Sequence, residues 1–328
     1  MPNRSNSSPP DYDRAILAIA EYLYRKTPRL KRCHSGCNYC VLLTFDDGTA
    51  DRVLKMANLN DWALKFEQHL YPPMRAHGVP VPEIEFTQED YPGPPVPFIV
   101  MPKFSDYTLN ELYQTDPTAA LSAFEESGRF IRELDERFGK AYKPFLEERE
   151  LFGTLKLQQK IHDRELDFAP DLMDLIREKD PSLAQRIERH LTTFDRPFPK
   201  RLVHGSLHIN NIMATQRGDI CVIDIGEGIG LSSRLKDLYM LLMTGPRWAG
   251  SDNDYVAKIR ALRKGYGEMN KDEVQELRYW EFFYRVKALQ GIMEDYPNAA
   301  STQDHLEYLR AILGGQSRLP ALFLHQEN

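Results

Sequence analysis

The spacing of apolar and polar positions changes period several times along the 328 residues, and each change marks an element. Residues 11–26 (DYDRAILAIAEYLYRK) place Ile16, Leu17, Ala20, Tyr22 and Leu23 at mixed three and four spacings, which predicts an amphipathic helix. Gly36 to Phe45 reads as a strand, Asp46-Asp47-Gly48 as a hairpin turn, and Ala50 to Met56 as the partner strand carrying Lys55. A helix follows over Leu59 to Ala76, then a β-branched apolar strand over Pro97 to Met101 with Pro102-Lys103-Phe104 as connector. From Thr108 to Pro199 the pattern is nearly all helical. Phe124, Ile131, Leu134 and Phe138 recur at helical spacing within Ser122 to Phe138, and Leu172 to Leu191 continues after the helix start Pro170-Asp171. Residues 202–237 break this rhythm: Leu202-Val203 is a short strand, His204 to Asn211 a polar loop, and Ile212 to Asp224 a hairpin turning at Arg217-Gly218-Asp219. Residues 251–312 return to helix, with Tyr279 to Arg285 as the densest aromatic cluster.

Composition narrows the class. With 42% hydrophobic residues the chain can bury a large core, and single cores stop growing at roughly 250–300 residues, so two lobes are expected. A net charge of −6 gives no general attraction to nucleic acid or anionic lipid. No apolar run approaches the roughly 20 residues of a membrane span. The opening MPNRSNSSPP lacks the apolar centre of a secretory signal, so a cytoplasmic protein with a disordered tail over residues 1–10 is expected, without nucleic-acid or membrane partners. Four cysteines without a signal sequence do not suggest a disulfide framework.

The chemistry concentrates in a few places. A loop reading His204-Gly205-Ser206, Asn211 five residues further on, and Asp224 at the end of a hairpin resemble the catalytic and metal-binding segment of the aminoglycoside phosphotransferase and choline kinase group. Gly226, Arg234 and Asp237 also follow the pattern of its antibiotic kinases. Gly36 and Asn38, Lys55 on the next strand, Glu67 twelve residues later on a helix, and the run Gly78-Val79-Pro80-Val81-Pro82 complete the order. Such a match implies an α+β, bilobal protein-kinase-like fold: a small antiparallel-sheet lobe over 11–103 and a larger, mostly helical lobe over 104–328 that shapes the acceptor pocket. It further implies ATP and Mg²⁺ as cofactors and a small hydroxylated, possibly amino-bearing molecule as acceptor. Gly36 and Asn38 would cover the phosphates, Lys55 held by Glu67 would contact them, and backbone groups at Met101 and Lys103 would contact adenine. Asn211 and Asp224 would hold magnesium, which prefers oxygen donors. Asp237 would tie down the catalytic loop, and Glu281, Tyr284 and Arg285 are candidate pocket residues beside the more ordinary packing role. The acidic run Leu146 to Glu150 is a solvated helix face, or an acidic lip for a cationic acceptor.

Ser206 departs from the pattern, because the family has an Asp there. A serine hydroxyl cannot take a proton at neutral pH unaided, whereas loss of a general base costs about 10²–10⁴-fold rather than everything. His204, Ser206 and His208 are the candidate catalytic residues, and His208 or Glu227 could replace the missing base. Three readings follow: a small-molecule kinase with an altered base, a pseudokinase-like nucleotide- or ligand-binding protein, or a kinase fold adapted to non-phosphoryl chemistry. A further alternative comes from Cys33, Cys37 and Cys40, whose C-x3-C-x2-C spacing is the one radical S-adenosylmethionine enzymes use to hold an iron–sulfur cluster.

Overall fold

The structure, a computed structural model, describes residues 12–33, 38–57, 61–93, 96–142, 170–192, 199–225, 228–243, 252–295 and 300–314. Two compact units emerge: Met1–Asp106 with Cys221–Gly226, and Tyr107–Ile220 with Glu227–Asn328.

The first unit is a five-stranded antiparallel sheet with two helices. Helix α1 (Tyr12–Tyr24) ends where Arg25 takes a positive φ of 56°, and strands β1 (Arg29–Arg32), β2 (Asn38–Thr44) and β3 (Arg52–Ala57) follow. Helix α2 (Asp61–Ala76) carries Pro72 and Pro73 inside it, and β4 (Phe86–Thr87) and β5 (Phe98–Pro102) complete the sheet in the order β1-β2-β3-β5-β4. Strand alternation places Val41, Leu43, Leu54, Met56, Phe98 and Val100 on one face, where Ile16, Ile19 and Ala20 of α1 cover them. Burial of each such side chain is worth about 1.5–3 kcal/mol, which fixes the register against one-residue slips. The pattern had not foreshadowed β1, because its sequence RLKR has no apolar alternation and lies exposed at the sheet edge.

The second unit is mostly helical. Strand β6 (Tyr107–Thr108) leads into α3 (Leu109–Thr115), whose start is fixed by a capping box. The Thr108 hydroxyl accepts from the Glu111 N–H, and the Glu111 carboxylate accepts from the Thr108 N–H. Asp116 then caps α4 (Pro117–Leu134), with Pro117 as first helical residue, and a π turn over Asp135–Gly139 extends it. The stretch 172–191 forms two helices rather than one: α5 (Pro170–Lys179) stops before Asp180, which caps α6 (Pro181–Thr192) by accepting the Leu183 N–H at 2.9 Å. Strands β7 (Arg201–Val203), β8 (Ile212–Ala214), β9 (Ile220–Val222) and β10 (Gly230–Ser232) follow. β10 pairs with β7, and β6 with β8. Helices α7 (Arg234–Met243), α8 (Asp252–Tyr266), α9 (Lys271–Asp295) and α10 (Ala300–Leu313) finish the chain. Ile176, Leu183, Ile187, Phe282, Val286, Leu309 and Ile312 join α5, α6, α9 and α10 in one core. Among the described residues no helix is long and apolar enough to cross a membrane. Residues 1–10 and the acidic run 146–150 lie outside the described residues.

Candidate active site

Lys55 is the centre of the first unit's polar cluster. It lies on β3 with a side chain 7% exposed, and its ammonium donates to both oxygens of Glu67, at 2.9 and 2.7 Å, and to Asp224 Oδ1 at 2.6 Å. Burial alone would depress its pKa, but the two carboxylates more than reverse this and hold it well above the ordinary lysine value. Glu67 reaches Lys55 because it lies on the inward face of α2 with Ala63, Leu64, Leu70, Tyr71 and Met74, all buried.

Asp224 follows β9 and has a φ of 57°, a left-handed conformation that Asp tolerates better than most residues. Two contacts seat its segment. The Val222 N–H donates to Pro80 O at 2.7 Å, and the Ile225 N–H bonds the hydroxyl of Tyr71. Neither Tyr71 nor the carbonyl of Pro80 stood out in the sequence: a helix aromatic reads as core, and a backbone acceptor has no side-chain signature.

The Lys103 N–H donates to Asp51 O at 3.1 Å, and Met101 stands opposite Val53 on the same ladder. By the alternation of an antiparallel ladder, the backbone groups of Met101 also turn toward β3. The Lys103 ammonium is held by Asp51 and Asp106. Asn38 is buried at the start of β2, while Gly36 lies outside the described residues.

In the second unit the loop after β7 is tied down from beneath. Buried Asp237, on the first turn of α7, accepts the His204 N–H at 2.7 Å and the Gly205 N–H at 2.9 Å; burial nevertheless raises its pKa. Gly205 has a φ of +80°, and a Cβ there would lie 1.9 Å from Gly228 O. A glycine is therefore required twice over, by backbone conformation and by the approach of residue 228. His204 is fully buried, and its Nδ1 accepts the Ser206 N–H at 3.3 Å. That contact makes it a support of the loop.

Ser206 is partly exposed, and its carbonyl accepts from Asn211 Nδ2 at 3.0 Å. The amide of Asn211 is thereby oriented with its oxygen turned away from Ser206. The Asn211 N–H closes a turn onto His208 O at 2.8 Å, which leaves the His208 ring partly exposed in the loop. Glu227 and Gly226 lie outside the described residues. The candidate pocket residues of α9 pack instead: Glu281 is fully buried, Arg285 is buried, and Tyr284 stacks on Tyr239 with ring centres 5.6 Å apart. Arg234 pairs with Glu273, which also accepts from the Tyr266 hydroxyl at 3.0 Å.

A divalent cation suits these donors. Lys55, Glu67 and Asp224 carry two carboxylates against one ammonium, and the Asp224 side chain is 38% exposed. Among the described residues no group of three or more His, Cys, Asp or Glu could hold a metal ion.

The comparisons with known proteins bear on family and fold. Residues 38–279, well over half of the chain, match the phosphotransferase enzyme family, and the chain belongs to it. Its fold is similar to the GDP complex of wild-type aminoglycoside 2'-phosphotransferase-IIIa, at 16% identity and a TM-score of 0.59, covering 94% of this chain and all of that one. It is also similar to a microcompartment-associated aminopropanol kinase (18%, TM-score 0.52, 95% and 99% covered). A third is a spectinomycin phosphotransferase in complex with ADP and spectinomycin (13%, TM-score 0.51, 92% and 96% covered). No curated protein matches the sequence. The expected bilobal α+β, kinase-like fold is therefore the observed one.

Proposed function

We propose that the chain transfers the γ-phosphoryl group of ATP, with magnesium, to a hydroxyl of a small molecule. The observation that carries this is the Lys55–Glu67–Asp224 cluster, in which one buried ammonium is held by two carboxylates from different elements. Burying the Lys55 and Glu67 charges is expensive, and orienting an ammonium at triphosphate oxygens is a task that accounts for it. When bound, magnesium would neutralise charge on the phosphates, with Asp224 and Asn211 as its protein ligands. Asp237 and His204 keep the loop backbone in place, so that Ser206 and Asn211 present their side chains in a fixed relation.

Ser206 sets the rate. Its hydroxyl can hydrogen-bond an acceptor alcohol but cannot take its proton, and a loose, metaphosphate-like transition state needs little early proton removal. His208 is the candidate substitute base, and its replacement by Ala should lower turnover while leaving ATP affinity unchanged. The named ligands of the relatives, kanamycin and spectinomycin, make amine-bearing alcohols the first acceptors to try, in a cytoplasmic setting.

The second reading is a nucleotide-binding protein without transfer, favoured by the missing carboxylate at residue 206. Conversion of ATP to ADP across a panel of amino alcohols, for wild type and Ser206→Asp, separates the two. The kinase reading predicts slow acceptor-dependent turnover that Ser206→Asp raises by on the order of 10²-fold. Bound ATP with no transfer by either protein would support the second reading.

A further inference from the structure

Cys33 and Cys40 face each other across the first two strands. Arg32 stands opposite Val41, and one step further the Cys33 N–H donates to Cys40 O at 2.9 Å. Opposed residues project to the same face of a sheet, so the two thiols stand on one face there. The row continues inward, because Cys40 stands opposite Lys55 on β3. This face is the reverse of the one that carries Val41, Leu43, Leu54 and Met56 into the core. Cys33 is exposed and lies just past the end of β1, whereas Cys40 is partly buried within β2.

We propose that Cys33 and Cys40 form a peroxide-sensitive dithiol, an oxidative modification site that ties β1 to β2 in the row that holds Lys55. The spacing permits the bond. A hydrogen-bonded antiparallel pair has Cα atoms about 5.5 Å apart, inside the roughly 4.4–6.8 Å a disulfide spans. Its Cβ atoms must draw in by about 1 Å, which stores strain and makes the bridge readily reducible.

Chemistry assigns the two sulfurs different parts. Hydrogen bonding to Cys40 holds the Cys33 thiol at about 7, below its ordinary value, so the exposed sulfur supplies the thiolate. That thiolate attacks one oxygen of hydrogen peroxide, the O–O bond breaks, and Cys33 becomes a sulfenic acid as hydroxide leaves and is protonated to water. The Cys40 sulfur then attacks the Cys33 sulfur, the S–O bond breaks, and a second water departs with the Cys40 proton. Two thiols are oxidised and one peroxide is reduced. With Cys40 drawn toward Cys33, the neighbour of Lys55 in the row is displaced, and affinity for Mg·ATP falls. This last consequence rests on the nucleotide reading above; the crosslink does not.

The test uses the full chain in wild-type and Cys37→Ser forms, exposed to hydrogen peroxide, alkylated, and cut with chymotrypsin, which cleaves after Tyr39 and so parts Cys40 from Cys33. The expected product in both is a disulfide-linked peptide pair joining Cys33 to Cys40, lighter by two hydrogens, reversed by dithiothreitol and absent from Cys33→Ser. Mg·ATP affinity should drop severalfold on oxidation and recover on reduction. If both thiols stay alkylatable, if Cys33 proceeds only to the sulfinic acid, or if the wild-type bridge runs to Cys37, the proposal fails. A crosslink that forms while ATP binding is absent before and after oxidation would instead count against the nucleotide reading.

Discussion

At the scale of single residues, the strictest requirement in the loop falls on Gly205. A methyl group there meets both a left-handed φ and the carbonyl of Gly228 at 1.9 Å. Gly205→Ala should cost at least ~2 kcal/mol in unfolding free energy, measured by urea denaturation, and should lower activity more than stability alone explains. Glu276 gives a second residue-level prediction. Burial raises its pKa to about 7. The folded state therefore holds this proton more tightly than the unfolded state does. Stability from this group is greatest below the unfolded value near 4.5 and is lost as pH rises through about 7. The loss amounts to roughly 3 kcal/mol by pH 8. Glu276→Gln should remove that slope between pH 5 and pH 8 in thermal melts; an unchanged slope would exclude Glu276 as its source. Lys55, Glu67, Asp224 and Asp237 were legible in the sequence because charged side chains in a fixed order carry a signal. Tyr71, Pro80, Gly228 and Glu276 were not: their roles depend on backbone atoms, close approach or burial, none of which leaves a pattern in a single chain.

At the scale of elements, periodicity located the helices and most strands, and the errors have physical causes. Strand β1 escaped because a charged edge strand lacks alternation. The split between α5 and α6 escaped because apolar spacing runs across it, while Asp180 and Pro181 carry the break. Asp180 is also bound by Arg310 of α10 at 2.6 Å, so it joins a cap to a helix–helix contact. Asp180→Ala should cost about 1–2 kcal/mol, mostly from the lost cap, and the chemical denaturation midpoint will show it. The pairing of α4 with α8 is closer than any spacing pattern reveals. A Cβ at Gly128 would lie 2.3 Å from Leu262 O, and one at Gly265 would lie 1.7 Å from Glu125 O. Gly265→Ala should destabilise the second unit by about 1–3 kcal/mol through overpacking; a variant as stable as wild type would show that these helices can separate freely.

At the scale of the whole molecule, family membership follows from the match over residues 38–279, and similar structures at 13–18% identity show the bilobal fold. The order of the charged residues made that fold legible. The hinge was less so, since the sequence marks the stretch Phe98 to Lys103 but not which way each backbone group turns. In the proposed function, activity rests on the Lys55–Glu67–Asp224 cluster binding a magnesium-bound triphosphate. Calorimetric titration of ATP into the wild-type chain and into Asp224→Asn, each with and without magnesium, tests this most directly. The account predicts wild-type binding that strengthens at least tenfold with magnesium, about 1.4 kcal/mol, and loses that gain in Asp224→Asn. A folded wild-type protein that takes up no ATP under either condition would contradict it.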